Sequence, residues 1–108
     1  MSAPYRLSRH DFTHLQVKKR VSGSCVTLAL GAVPGREARG FAVVVSKKSA
    51  RKATDRNLIK RRIRAIFREL HTTLPVGMVI VAYGKPGASR ANMAQLRAEV
   101  CSLFTRLV

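Results

Sequence analysis

The chain reads as one α+β domain, a two-layer sandwich in which a small mixed sheet is packed with helices, in the order α-β-β-α-β-α. Three observations predict this. Short runs rich in Val, Ile, Leu and Ala are bounded by Gly, Pro and Ser, as strands are. Two longer stretches repeat apolar residues at helical spacing. The 108 residues suffice for a single domain with a real core, and they contain no repeat, low-complexity tract or linker. One domain over residues 1–108 follows.

The elements come in this order. A first short helix is expected from Ser8, with Asp11 three residues on as a capping-box acid near the positive helix end. It is expected to end before Val21-Ser22-Gly23. Val26, Leu28 and Leu30 alternate with Cys25, Thr27 and Ala29, which predicts a strand with one apolar face. Residues 31–37 form a loop. Residues 41–45 are a β-branched run suited to a central strand. Residues 47–53 form a basic loop, and Thr54 is placed to cap a long second helix, with Asp55 in its first turn. Pro75 and Gly77 separate that helix from a third strand over 78–83, and Gly84-Lys85-Pro86-Gly87 is a turn. A last helix from about Ser89 to Leu107 carries Met93, Leu96, Val100, Leu103, Phe104 and Leu107 as a core-packing stripe. The helices should cover one side of the sheet and leave part of the other open.

Charge is the strongest functional signal. The net charge is +16, and ten of the 21 Lys and Arg residues lie within residues 47–68, where Asp55 is the sole acid. At about 100° per residue, Ile59, Ile63, Ile66 and Leu70 share one stripe of the second helix, with Phe67 at its edge. Asn57, Lys60, Arg61, Arg64 and Arg68 fall on the opposite side. Lys60, Arg64 and Arg68 are successive i,i+4 neighbours, a like-charge arrangement that costs about 0.2–0.5 kcal/mol per pair. Solvated helix faces mix signs. A helix with one sign of charge is suited to a polyanion.

Several classes are disfavoured. No apolar run approaches the roughly 20 residues of a membrane span. Residues 1–15 contain no apolar block followed by a small-residue cleavage site, so a cytoplasmic protein is expected. Cys25 and Cys101 have no zinc-binding spacing and read as buried reduced thiols. His10 and His14 have the i,i+4 spacing of a metal pair, but no third ligand is evident and His71 lies elsewhere in the chain, so surface histidines are expected. The five acids, Asp11, Glu37, Asp55, Glu69 and Glu99, include no close pair that would hold two catalytic metals. Ser24 and Ser46 have no evident base. No catalytic residue and no metal ligand is therefore assigned to this chain. Two other classes stay open: a ribosomal or other structural RNA-binding protein without a link to catalysis, and a DNA-binding regulator with the second helix in a major groove.

The basic segment carries a more specific pattern. Lys47-Lys48-x-x-Arg51-Lys52-Ala53-x-Asp55-Arg56-Asn57-x-Ile59-Lys60-Arg61-x-x-Arg64-x-x-Phe67-Arg68 resembles the "RNR" signature of the bacterial ribonuclease P protein subunit, with more than ten defined positions in 22 residues. An N-terminal Arg6-Leu7-x4-Phe12 segment agrees, and the resemblance spans residues 6–107. It implies a ribonucleoprotein in which the RNA subunit catalyses hydrolysis with bound Mg²⁺ and releases the 5′ leader of precursor tRNA. The protein would bind that catalytic RNA and the leader, with no obligate protein partner. The resemblance also implies a left-handed crossover between two parallel strands, an exception to the usual hand.

Carried over position by position, Arg56, Asn57, Lys60, Arg61, Arg64 and Arg68 would face the catalytic RNA, with Lys47, Lys48, Arg51 and Lys52 nearby. Asn57 could bridge a backbone group and a phosphate or base edge, or make a local helix-start hydrogen bond. Two departures stand out. The family usually has Glu where this chain has Ala65, and Glu69 comes four residues later, in a structural role. The family also stacks the leader on aromatics from the first helix and the adjacent strand. Here Phe12 matches, but one turn later stands Gln16, and the strand offers Cys25, Thr27 and Ala29. A thin platform is expected, with Lys18, Lys19 and Arg20 compensating by charge. Phe12 serves either as a stacking face or as core.

Overall fold

A computed structural model describes residues 5–35, 37–70 and 73–107. The elements are β1 (Tyr5–Arg6), α1 (Arg9–His14), β2 (Gln16–Ser22), β3 (Val26–Ala32), β4 (Gly40–Val45), α2 (Ala53–Leu70), β5 (Val79–Gly84), a 3-10 turn (Pro86–Ser89) and α3 (Met93–Leu107). The five strands form one mixed sheet in the order β1-β4-β5-β3-β2. β4 and β5 are parallel neighbours joined through α2, and β3 is antiparallel to both β5 and β2. The expected two-layer α+β class is therefore present.

Alternation along the strands assigns the two faces. Val26, Leu28 and Leu30 of β3, Val43 and Val45 of β4, and Ile80 and Ala82 of β5 join Ile59, Ile63, Ile66 and Phe67 of α2 and Leu96, Val100, Leu103, Phe104 and Leu107 of α3 in one core. The Phe41 and Phe67 rings meet edge to face at 5.8 Å within it. A second, smaller cluster lies on the other face. There Leu7, Val33, Ala42, Val79 and Val81 are buried, and Phe12, Leu15 and Tyr83 pack at the edge.

Four local expectations are corrected. The first helix is six residues long and closes at Leu15, so residues 16–22 form the edge strand β2. Pairing with β3 from Gln16↔Ala32 to Ser22↔Thr27 overrides the helical reading. Gly31 admits this pairing, because a Cβ there would stand 2.4 Å from the Gln16 carbonyl oxygen. Helix α2 begins at Ala53, so Thr54 lies inside it and is no cap. Helix α3 begins at Met93, after the 3-10 turn. Asn92 Oδ1 accepts from the Gln95 N–H at 2.8 Å, and Gln95 Oε1 accepts from the Asn92 N–H at 2.9 Å, a reciprocal cap that fixes this start. Cys101 is half-buried, whereas Cys25 is buried as expected. The Ser8–Asp11 capping box forms as expected, with buried Asp11 accepting from the Ser8 N–H at 2.8 Å. His71 and Arg36 lie outside the described residues.

Candidate nucleic-acid interface

Helix α2 owes its orientation to its apolar stripe. Ile63 and Ile66 are fully buried, Ile59 and Phe67 nearly so, and Leu70 packs at the margin. That burial, worth about 1.5–3 kcal/mol per large side chain, forces the opposite face outward. Asn57, Arg61 and Arg68 are exposed there, with Lys60 and Arg64 half-buried. Lys47, Lys48, Arg51 and Lys52 are exposed on the loop before the helix. The side chains of Asn57, Lys60, Arg61 and Arg64 have no hydrogen-bond or ion-pair partner among the described residues. The local helix-start bond considered for Asn57 is thus absent, and its amide is available to a ligand.

Electrostatics sharpens this picture. Burial lowers the pKa of the Arg64 guanidinium, and the positive charges of Arg6 and Arg68 lower it further. Arg6 comes from β1, in register with Phe41 of β4. The basic surface thus draws on the first strand as well as α2. Arg6 was not among the site residues expected from the sequence; its place in a two-residue parallel strand leaves no periodic signal.

Two basic residues near α2 serve the fold. Arg56 Nη1 donates to the carbonyls of Ala50 at 2.9 Å and Arg51 at 2.8 Å, which braces the basic loop against the helix start. Arg62 Nη1 donates to the Ala91 carbonyl at 3.2 Å and ties α2 to the segment before α3. Glu69 pairs with Arg97 of α3, the structural role expected for it.

The other face of the sheet holds the second group of expected residues. Phe12 is half-buried at the rim of the small cluster, so part of its ring is exposed and part is core. Lys18, Lys19 and Arg20 do not act as one patch. Their place on a strand sends Lys19 and Arg20 to opposite faces. Lys19 Nζ reaches the helix side and donates to the Arg106 carbonyl at 2.9 Å, near the C-terminal end of α3. The Arg20 guanidinium lies over the Tyr83 ring on the open side, 5.9 Å from its centroid. Lys18 is exposed where the β2–β3 register shifts. Tyr83 was missed as a site residue. Its signal was the alternation of Val79, Val81 and Tyr83 against Ile80 and Ala82, which puts the ring on the face that α2 and α3 leave uncovered.

His10 and His14 stack on the exposed side of α1, with ring centroids 4.3 Å apart. The His14 Nδ1 lies 3.0 Å from the His10 carbonyl. No group of three or more His, Cys, Asp or Glu suited to a metal occurs among the described residues.

Comparison with known proteins identifies the family. The Ribonuclease P family model matches residues 1–108. The chain is 35% identical over 111 residues to the ribonuclease P protein component of Streptomyces avermitilis, covering 93% of this chain and 88% of that one. It is 34% identical over 102 residues to the ribonuclease P protein component of Microcystis aeruginosa, covering 91% and 85%. Among solved structures, the RNase P protein from Thermotoga maritima superposes with a TM-score of 0.70 at 26% identity, covering 90% of this chain and 87% of that one.

Proposed function

The chain belongs to the ribonuclease P protein family, the protein component of a ribonucleoprotein endoribonuclease that acts in tRNA processing, and from that premise we propose how its surfaces divide the work. Helix α2 and the loop before it bind the catalytic RNA. Lys47, Lys48, Arg51, Lys52, Lys60, Arg61, Arg64 and Arg68 contact phosphates, and Asn57 supplies one directional contact. Arg56 shapes the loop and presents its remaining donors to the same RNA. The observation that carries this reading is the row of cations on α2, where Lys60, Arg61 and Arg64 have no acid among the described residues to relieve them and where burial, with the charges of Arg6 and Arg68, depresses Arg64. A polyanion relieves that repulsion and releases counterions on binding.

The open face of the sheet, rimmed by Phe12 and Arg20, receives the single-stranded 5′ leader of precursor tRNA. Lys18 lies at its margin, and Lys19 supports α3. The RNA performs the hydrolysis, and the Mg²⁺ it needs is held mainly by the RNA. The protein acts in the cytoplasm without an obligate protein partner. Family membership sets aside the ribosomal and DNA-regulator readings.

The test mixes the protein with a bacterial ribonuclease P RNA and a precursor tRNA at low Mg²⁺. Cleavage at the 5′ end of the mature tRNA should increase over RNA alone, and RNA-free protein should not cleave. Cleavage by RNA-free protein, or no gain with the RNA present, would overturn the division of roles.

A further inference from the structure

One row of side chains crosses the open face where the small apolar cluster ends. Strand register places Ser22 beside Thr27, Thr27 beside Tyr83, and Tyr83 beside Val44, from β2 through β3 and β5 to β4. The Ser22 and Thr27 hydroxyls lie 2.7 Å apart, and Val44 is 37% exposed. The preceding row, Arg20, Ala29, Val81 and Ala42, is different: Ala29, Val81 and Ala42 are all buried. Tyr83 therefore stands at the border of a covered patch and an uncovered one. Its neighbours Thr27 and Val44 are both shorter than the ring beside them.

Arg20 completes the arrangement. Its guanidinium is held over the ring by cation–π attraction alone and has no hydrogen-bond partner among the described residues. Such a contact is weak at an exposed site, about 0.5–1 kcal/mol. An incoming planar base offers the ring a larger surface, and the displaced guanidinium is then free to take the adjoining phosphate. The hydroxyl pair beside the ring can donate to a sugar or base oxygen.

We propose that Tyr83, with Arg20, Ser22 and Thr27, forms a binding site for one unstacked nucleobase of single-stranded RNA. The platform sits on β5, although the aromatics expected on the first helix and β3 are reduced to Phe12. This site rests on the reading that the open face receives the precursor leader. Phe12 and Tyr83 border the same buried cluster, so the two rings give this face two separate stacking positions.

The test uses holoenzyme reconstituted with a bacterial ribonuclease P RNA. Binding is measured for mature tRNA and for precursors whose leader carries an abasic nucleotide at successive positions, with wild-type protein and with Tyr83→Leu and Tyr83→Phe. Tyr83→Leu should weaken binding of the intact precursor about 5- to 150-fold and leave mature tRNA unchanged. An abasic nucleotide at one leader position should cost the wild type a similar factor and cost Tyr83→Leu nothing further. Tyr83→Phe should behave as wild type, which separates stacking from folding. As a second readout, 2-aminopurine at that position should be quenched by wild-type holoenzyme and not by Tyr83→Leu.

A Tyr83→Leu holoenzyme that still loses affinity at every abasic position overturns the platform, as does an equal loss on precursor and mature tRNA. If wild-type holoenzyme itself binds precursor and mature tRNA alike, the leader reading fails first and the platform with it.

Discussion

Helices α2 and α3 cover the same side of one sheet, yet their charges are handled in opposite ways. On α3, Arg97 pairs with Glu69, and Lys19 reaches the Arg106 carbonyl. Glu99 is used most fully. Its carboxylate accepts from the Ser24 N–H at 2.9 Å, the Ser24 hydroxyl at 2.8 Å, the Cys25 N–H at 2.7 Å and the Val26 N–H at 2.8 Å. This closes the turn between β2 and β3, and a Cβ on Gly23 would lie 2.6 Å from the Glu99 carboxyl carbon. On α2, Lys60, Arg61 and Arg64 have no such partner, and Arg64 is crowded by Arg6 and Arg68. Charge answered within the chain supports the fold, and under the proposed function the charge left unanswered on α2 is what the catalytic RNA meets.

The largest effect should come from breaking the answered side. Burial raises the Glu99 pKa, but the hydrogen bonds from the Ser24 hydroxyl and from the Cys25, Val26 and Ser24 N–H groups outweigh it, and the net shift is downward. The folded pKa is below the unfolded one. Its stabilisation is therefore complete above the unfolded carboxylate pKa and is lost as pH falls through the folded value. Glu99→Gln turns an amide donor toward donors and should cost about 2 kcal/mol at neutral pH. It should also flatten the acid limb of the stability curve. Denaturant melts between pH 2 and 7 check both, and an unchanged acid limb would remove Glu99 from the account.

Next in size is the open face. Phe12→Leu keeps most of the apolar area and should cost the fold no more than about 1.5 kcal/mol. It should lower holoenzyme affinity for precursor tRNA by about 1–3 kcal/mol while leaving mature tRNA unchanged. Equal effects on both substrates would make Phe12 core alone.

The smallest effect belongs to the answered charge on α2 itself. Glu69 and Arg97 are an exposed pair, with side-chain exposures of 56% and 42%. Glu69→Gln should shift stability by less than about 1 kcal/mol and leave RNA binding intact. A large loss in either measurement would blur the contrast between the two helices.

Legibility in the sequence followed the same division. The stripe Ile59, Ile63, Ile66 and the cations opposite it gave α2 its type and its face, because a long amphipathic helix repeats its signal over several turns. β3, β4 and β5 were legible from apolar runs, and the Ser8–Asp11 box from spacing. β2 was not. Its residues QVKKRVS are exposed almost throughout, so burial imprinted no apolar period, and only pairing with β3 makes it a strand. That error hid the opposite directions of Lys19 and Arg20. Tyr83 and Glu99 were missed for a related reason. Each acts on residues more than 50 positions away in the chain: the alternation along β5 marks the face of Tyr83, but nothing local marks its contact with Arg20 or that of Glu99 with the β2–β3 turn.

The claim that α2 is left unanswered in order to meet RNA is tested most directly by the salt dependence of binding to a bacterial ribonuclease P RNA. The protein is compared with Lys60→Ala and Arg64→Ala across a range of monovalent salt, with melting temperatures recorded alongside. Each substitution should weaken binding and reduce the log–log slope by up to about 0.7–0.9, one phosphate contact. The melting temperature should be unchanged or higher, since like-charge repulsion is relieved. An unchanged slope with intact affinity, or a variant that unfolds, would contradict the account and make the cationic face structural.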